Sequence, residues 1–218
     1  MSDQPTPSLR ERNRQQARDM VLDAATRLLI KDASADFSMR ALAAEAGMGF
    51  ATPFNHFGSK NAIMQALSTR LIGQMAAAFE RAAPVGDAID RVTTMGRIAV
   101  ALLLEQPDVY KAVVGSLGVV GPAPTEVMGQ SQALWTLALG AFDGIADDVV
   151  GTARKVLAEQ LAFGFRGCLS FWIAGEVANE NLAHIVETNL STTLLGFADG
   201  DRRQYLRDRI AAFRGDGG

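Results

Sequence analysis

Residues 49–60 read "GFATPFNHFGSK", a dozen positions that hold three phenylalanines, an asparagine, a histidine, a Thr-Pro pair and a closing lysine. Catalysis by such groups needs a nucleophile beside a base, or a set of metal ligands. The chain has only two histidines, His56 and His184, and one cysteine, Cys168. His184 is not part of any paired-carboxylate motif. No Glu-x-x-His pair offers a di-metal site, and no glycine-rich loop has the phosphate-binding form. No catalytic residue, cofactor or metal is therefore expected. The other chemistry open to these side chains is recognition, and its target depends on the elements that present them.

Helical period dominates the chain, and no long apolar–polar alternation supports strands. Ser8-Leu9-Arg10-Glu11 has the form of a capping box opening a first helix. Ala17, Val21, Ala24, Ala25, Leu28 and Leu29 mark its buried face. Ser38 can cap a short helix from Met39 to Ala46, stopped at Gly47. Ser59 can cap a long helix from Lys60 to about residue 82, with Ile63, Leu67, Leu71, Met75 and Phe79 four apart. Pro84-Val85-Gly86 ends it. Further helices are expected near 87–105, after Pro107, and near 126–143, 150–174, 179–198 and 201–214, with a loop at 121–126. The reading is all-α, in three parts. Residues 1–7 are a disordered arm, 8–82 one domain that includes the connecting helix, and 83–218 a second helical domain.

A short helix, a glycine turn and a second short segment to Phe57 have the length and order of a helix-turn-helix. Ala43 is small enough for a close crossing, and Gly47 tolerates positive φ at the turn. Leu42 and Met48 are positioned as core. The second helix would then enter the major groove of DNA. Proline within a helix is costly but is tolerated at the first helical position. Thr52-Pro53 is accordingly read as cap plus first residue, with a recognition helix over about 53–57 and Gly49 to Ala51 extended.

"FSMRALAAEAGMGFATPFNHFGSKNAIMQAL" (37–67) resembles the N-terminal signature of the TetR family of bacterial transcriptional regulators along its full length. The shared pattern is a capped S-x-R-x-[LI]-A helix, then A-G-[VM], then a segment ending in aromatic-x-[HN]-F, then x-S-K. The resemblance implies a three-helix DNA-binding domain followed by a helical ligand-binding and dimerisation domain. It implies phosphate contacts from Ser38, Arg40 and Lys60, the last also at a helix N-terminus. It puts Phe50, Ala51, Thr52, Asn55 and His56 on or beside the recognition segment. Asn can pair with adenine, Thr can contact a base or a thymine methyl, and Phe50 can touch that methyl. Arg10, Arg12 and Arg14 can track the backbone or enter the minor groove.

Two positions depart from the family. Phe54 stands where Tyr is usual, so a phosphate-binding hydroxyl is missing, and Pro53 stands where an apolar residue such as Leu is usual. Both departures favour a rival reading, a helical small-molecule or protein-binding module with lost DNA binding. Several side chains also have plainer roles open to them. Phe54 and Phe57 can be core, His56 a helix-end histidine, Asn55 a cap, and Lys60 a solvated charge.

In the second domain, Leu157, Leu161, Phe165, Cys168, Leu169 and Trp172 share a three-four rhythm, as do Leu182, Ile185, Val186, Leu190, Leu194 and Phe197. Two such helices can pair with their copies in a homodimer, or close an internal core. Met95, Leu102, Tyr110, Trp135, Phe142, Phe165 and Arg166 are the candidate lining of a mostly apolar effector pocket. Residues of this kind at helical spacing also make ordinary core. Arg97 and Glu105 can be pocket groups or surface ion pairs.

Net charge is −3, which alone argues against a general nucleic-acid binder, but residues 8–79 carry nine Lys/Arg against six Asp/Glu. No apolar run approaches a bilayer span, and the N-terminus has no secretory pattern. A lone cysteine fits a reducing compartment. The expectation is a cytoplasmic transcriptional regulator, usually a repressor in the resembling family, with double-stranded DNA, a small-molecule effector and a second copy as partners.

Overall fold

The computed structural model describes residues 8–32, 37–118 and 126–215. The expected arm at 1–7 and all but the last residue of the 121–126 loop lie outside them. Ten α-helices account for most of the described chain: α1 Leu9–Lys31, α2 Met39–Glu45, α3 Ala51–Phe57, α4 Lys60–Ala82, α5 Ala88–Glu105, α6 Pro107–Gly115, α7 Val127–Leu139, α8 Val150–Ile173, α9 Asn179–Leu195 and α10 Gly200–Gly215. One isolated antiparallel bridge, Ile145 to Ala198, is the only extended pairing among the described residues. No described helix is long and apolar enough to cross a membrane.

The helix starts follow their side chains. Ser8 Oγ accepts from Glu11 N at 3.2 Å, and Glu11 accepts from Ser8 N at 2.9 Å, so the capping box is complete. Ser38 Oγ accepts from Ala41 N at 3.1 Å and opens α2. Ser59 Oγ does the same for Ala62 N and opens α4. Asp87, with Asp90 answering it, forms a second box at α5.

Two compact units emerge, Met1–Leu67 with Asp108–Gly121, and Ser68–Pro107 with Pro122–Gly218. The sequence reading draws one boundary after residue 82. The contacts divide the chain earlier, within α4, and group most of α6 with the first unit. The core of that unit contains Val21, Leu22, Ala25 and Leu29 of α1, Leu42 of α2, Ile63, Met64 and Leu67 of α4, and Val109 and Val113 of α6.

In the second unit α9 packs on α5, α8 and α10, and α7 packs on α5 and α8. Met95, Leu103, Trp135, Leu139, Leu157, Leu161 and Trp172 are fully buried. Two glycines set the close crossings. A Cβ at Gly96 would strike Leu190, and one at Gly164 would strike the Asn189 amide. Trp172 Nε1 donates to Asn179 Oδ1 at 2.8 Å across the α8–α9 turn.

Arg91 ties α7 to α5. It donates to the Ala138 and Leu139 carbonyls at 3.1 and 2.8 Å, to Gly86 O at 2.8 Å, and in bidentate fashion to Asp143. It thereby occupies carbonyls that α7 leaves without partners at its C-terminus. Arg91→Ala should cost about 2 kcal/mol in chemical denaturation, because buried carbonyls lose their donors. Lys should restore only part, since an ammonium lacks the planar fork. Arg91 also holds the Asp143 carboxyl below its ordinary range through its hydrogen bonds. A carboxyl depressed in the fold adds stability above its unfolded value, and that stability is lost as pH falls through the folded value. Asp143→Asn should therefore lower the melting temperature at neutral pH and flatten its decline below about pH 4.

Candidate nucleic-acid interface

The turn between α2 and α3 has the geometry that the sequence suggests. Gly47 sits at φ 66°. Its N–H donates to Ala44 O at 3.1 Å, and Met48 N–H donates to Ala43 O at 2.9 Å. These are the two bonds of a Schellman turn, which needs a left-handed residue at the glycine position. Ala43 is buried at the crossing, as is Leu42.

The start of α3 differs from expectation. The helix begins at Ala51, and Phe50 before it already has helical angles, φ −49° and ψ −39°. Thr52 N–H donates to Gly49 O at 2.9 Å. Thr52 is thus inside the helix and not its cap, and Pro53 is the third residue rather than the first. The physical reason is that no N–H in the first turn has an intrahelical partner, so proline there forfeits nothing. Pro53 is buried and acts as an apolar anchor. One of the two departures behind the rival reading therefore leaves the recognition helix intact.

The faces of α3 separate cleanly. Pro53 is buried, and Phe57, half-buried, packs against the core of the first unit. Thr52 and His56 are half-buried. Phe50, Ala51, Phe54 and Asn55 face outward, with Phe50 65% and Phe54 60% exposed. On α2, Ser38 and Arg40 are exposed. Ser38 is occupied as an acceptor but retains its O–H as a donor. Lys60 opens α4 with its ammonium 4.9 Å from the centre of the Phe37 ring.

Arg18 on α1 is the residue that sequence reasoning missed. In the structure Nη1 donates to His56 O at 2.7 Å, and the guanidinium lies 4.2 Å above the centre of the Phe57 ring. It thus caps the C-terminal end of α3 and clamps the helix to α1. The available signal was its position, one residue after Ala17 on the buried face.

The proposed pocket residues fall into two groups. Met95, Trp135, Phe142 and Phe165 are buried in the second unit, with Trp135 and Phe165 edge to face at 5.5 Å. Leu102 is half-buried on α5, and Arg166 is half-buried on α8, where burial lowers the affinity of its guanidinium for its proton. Phe142 is held at φ 68° in the turn after α7, with Arg154 4.7 Å over its ring. Tyr110 is on α6 and belongs to the first unit. The void between α5 and α9 measures about 10 Å³, at the limit of what one water needs. Arg97 pairs with Glu187 at 2.9 Å across that seam, as a surface ion pair.

This arrangement is a helix-turn-helix of the DNA-reading class, packed on a core to which α1, α2, α4 and α6 contribute. Residues 21–67 match the family model for bacterial regulatory proteins of the tetR family, which identifies that segment as TetR-type. The fold agrees over most of the chain. It is similar to a TetR transcriptional regulator from Rhodococcus sp. RHA1, at 20% identity, covering 83% of this chain and 97% of that one, with a TM-score of 0.66. It is also similar to a protein of unknown function from Rhodococcus sp. RHA1, at 22% identity, covering 91% and 100%, with a TM-score of 0.51. No curated protein matches in sequence.

Arg18→Ala should loosen α3 while leaving the rest of the first unit folded. The expected cost is about 1–2 kcal/mol, the loss of one charge-assisted bond and a ring contact. Hydrogen exchange at Asn55 to Gly58 should accelerate in this variant, and exchange in α1 should not.

Proposed function

We infer that the protein is a ligand-responsive transcriptional repressor. Two copies of α3 in a homodimer read a palindromic operator, and a small apolar or amphipathic molecule releases it. The observation that carries this reading is the outward face of α2 and α3. Arg40, Phe50, Phe54 and Asn55 are exposed there on helices whose other sides are fixed by core. Arg40 and Lys60 supply charge for phosphates, while Asn55 supplies base-reading capacity.

Support for an effector comes from α7. Trp135 Nε1 and Gln130 Oε1 are buried with no hydrogen-bond partner. Each such group carries a cost of about 1–3 kcal/mol, which a guest with the complementary acceptor or donor would offset. Support for a dimer comes from α8. Phe163 is 52% and Phe171 55% exposed, eight residues apart on one side of the helix. Gly167 lies between them with open space around it. A second copy would bury these rings.

Selection of random duplexes on the purified protein should return a two-fold palindrome with half-sites about 34 Å apart and a steep salt dependence. Lys60→Ala should weaken binding to all sequences alike and reduce the salt slope, whereas Asn55→Ala should relax one position per half-site. A folded dimer that enriches no sequence would reject this reading. Separately, Phe163→Asp with Phe171→Asp should yield a folded monomer by sedimentation, since charge in a dimer seam is costly and on a free surface is not.

A further inference from the structure

The outward face of α3 has an unusual chemistry for a surface that reads bases. Its exposed side chains are Phe50, Ala51, Phe54 and Asn55. None is a cation. Guanine is most commonly read by a bidentate Arg or Lys on O6 and N7, and this face has neither to offer. An amide matches adenine N6 and N7, and an apolar ring matches the thymine C5-methyl. Arg40 of α2 and Lys60 at the start of α4 lie outside α3.

Phe50 and Phe54 are four residues apart. Both have helical backbone, so their rings project from one side of the helix, displaced by about 6 Å along its axis. Stacked base pairs advance by about 3.4 Å per step. The two rings therefore span about two base-pair steps. Their exposure, 65% and 60%, leaves most of each ring free to cover a methyl group. Phe54 has no hydroxyl with which to turn toward a phosphate. The inward face is meanwhile committed, with Pro53 buried and Phe57 packed on the core beneath Arg18.

We propose that α3 reads an A·T half-site through thymine methyl groups. Phe50 and Phe54 cover the 5-methyls of two thymines about two steps apart, and Asn55 pairs with an adjacent adenine. This rests on the reading of α3 as the groove helix. The occupant of the apolar face is duplex DNA, because Arg40 on α2, exposed, and Lys60 at the start of α4, half-buried, are basic and suit a polyanion.

The test uses the duplex recovered by random selection and replaces each half-site thymine by uracil, which removes the methyl and keeps the pairing. Wild-type protein should lose about fourfold in affinity for each contacted methyl, the factor that corresponds to one buried methyl group. Phe50→Ala should become insensitive to uracil at one position and Phe54→Ala at another about two steps away. Both rings are exposed, so these variants should melt like the wild type. If no sequence is enriched, the repressor reading itself fails. If a palindrome is enriched but uracil changes nothing, or the half-site centre is G·C, the repressor reading stands and the methyl-reading proposal falls. A uracil penalty that survives in both Phe variants also overturns it, since the methyls would then be sensed elsewhere. If Phe54 instead wedges between bases, the bound duplex should be kinked in a gel-bending assay and Phe54→Leu should preserve the kink; that too rejects the proposal.

Discussion

A helix of seven residues does not hold itself together in water. Nucleation fixes several residues before hydrogen bonds accumulate, and isolated helices shorter than about 12 residues are marginal. Everything that α3 presents to solvent depends on anchors elsewhere in its unit. Phe57 packs against the core formed by α1, α2, α4 and α6. Pro53 is buried, and it restricts φ where the first turn would otherwise fray. Arg18 occupies the His56 carbonyl at the far end. With both ends and one side fixed, the outward face can carry residues with no structural duty, and two exposed phenylalanines are tolerated there.

The second unit solves a different problem. Its helices are longer, and the constraint is how closely they approach. Gly96 admits Leu190 between α5 and α9, and Gly164 admits the Asn189 amide between α8 and α9. Glycine in a helix costs about 1 kcal/mol relative to alanine, and these two positions return that cost through contact no Cβ would allow. The ends are then tied by arginines. Arg91 closes α7, and Arg202 bridges Asp87 and Asp90 at the start of α5, at 2.8 and 2.6 Å. The same Asp87 caps α5 through Ile89 and Asp90 N–H. Burial pushes its carboxyl up while these bonds and the Arg202 charge oppose the shift.

Much of this was legible in the sequence because the signals are local. Ser8 with Glu11, Ser38, Gly47 and Ser59 each act on backbone within about three residues, and each does in the structure what its chemistry suggests. Pro53 was misread because two rules fit it. Proline after threonine looks like a first residue behind a cap, yet any first-turn position is equally free of a hydrogen-bonding partner. Only the packing that buries its ring fixes the helix start two residues earlier. The grouping of α6 with the first unit was not legible at all. Val109 and Val113 have the spacing of any amphipathic helix, and spacing does not say which core a face will meet.

The limit is sharper for the buried aromatic residues of the second unit. Trp135 and Phe165 have the same burial and rhythm whether they line a guest or only each other. What separates the cases is polar satisfaction, which a sequence does not record. Trp172 and Trp135 illustrate it. Both indoles are fully buried. The Trp172 N–H meets Asn179 at 2.8 Å, while the Trp135 N–H meets nothing. Tryptophan is favoured in cores where its N–H finds an acceptor. An indole without one gives up hydration for packing alone, where phenylalanine would pack without that loss. The two indoles are thus equal as apolar bulk and unequal as polar groups, and the unequal one shares α7 with the unpaired Gln130 carbonyl.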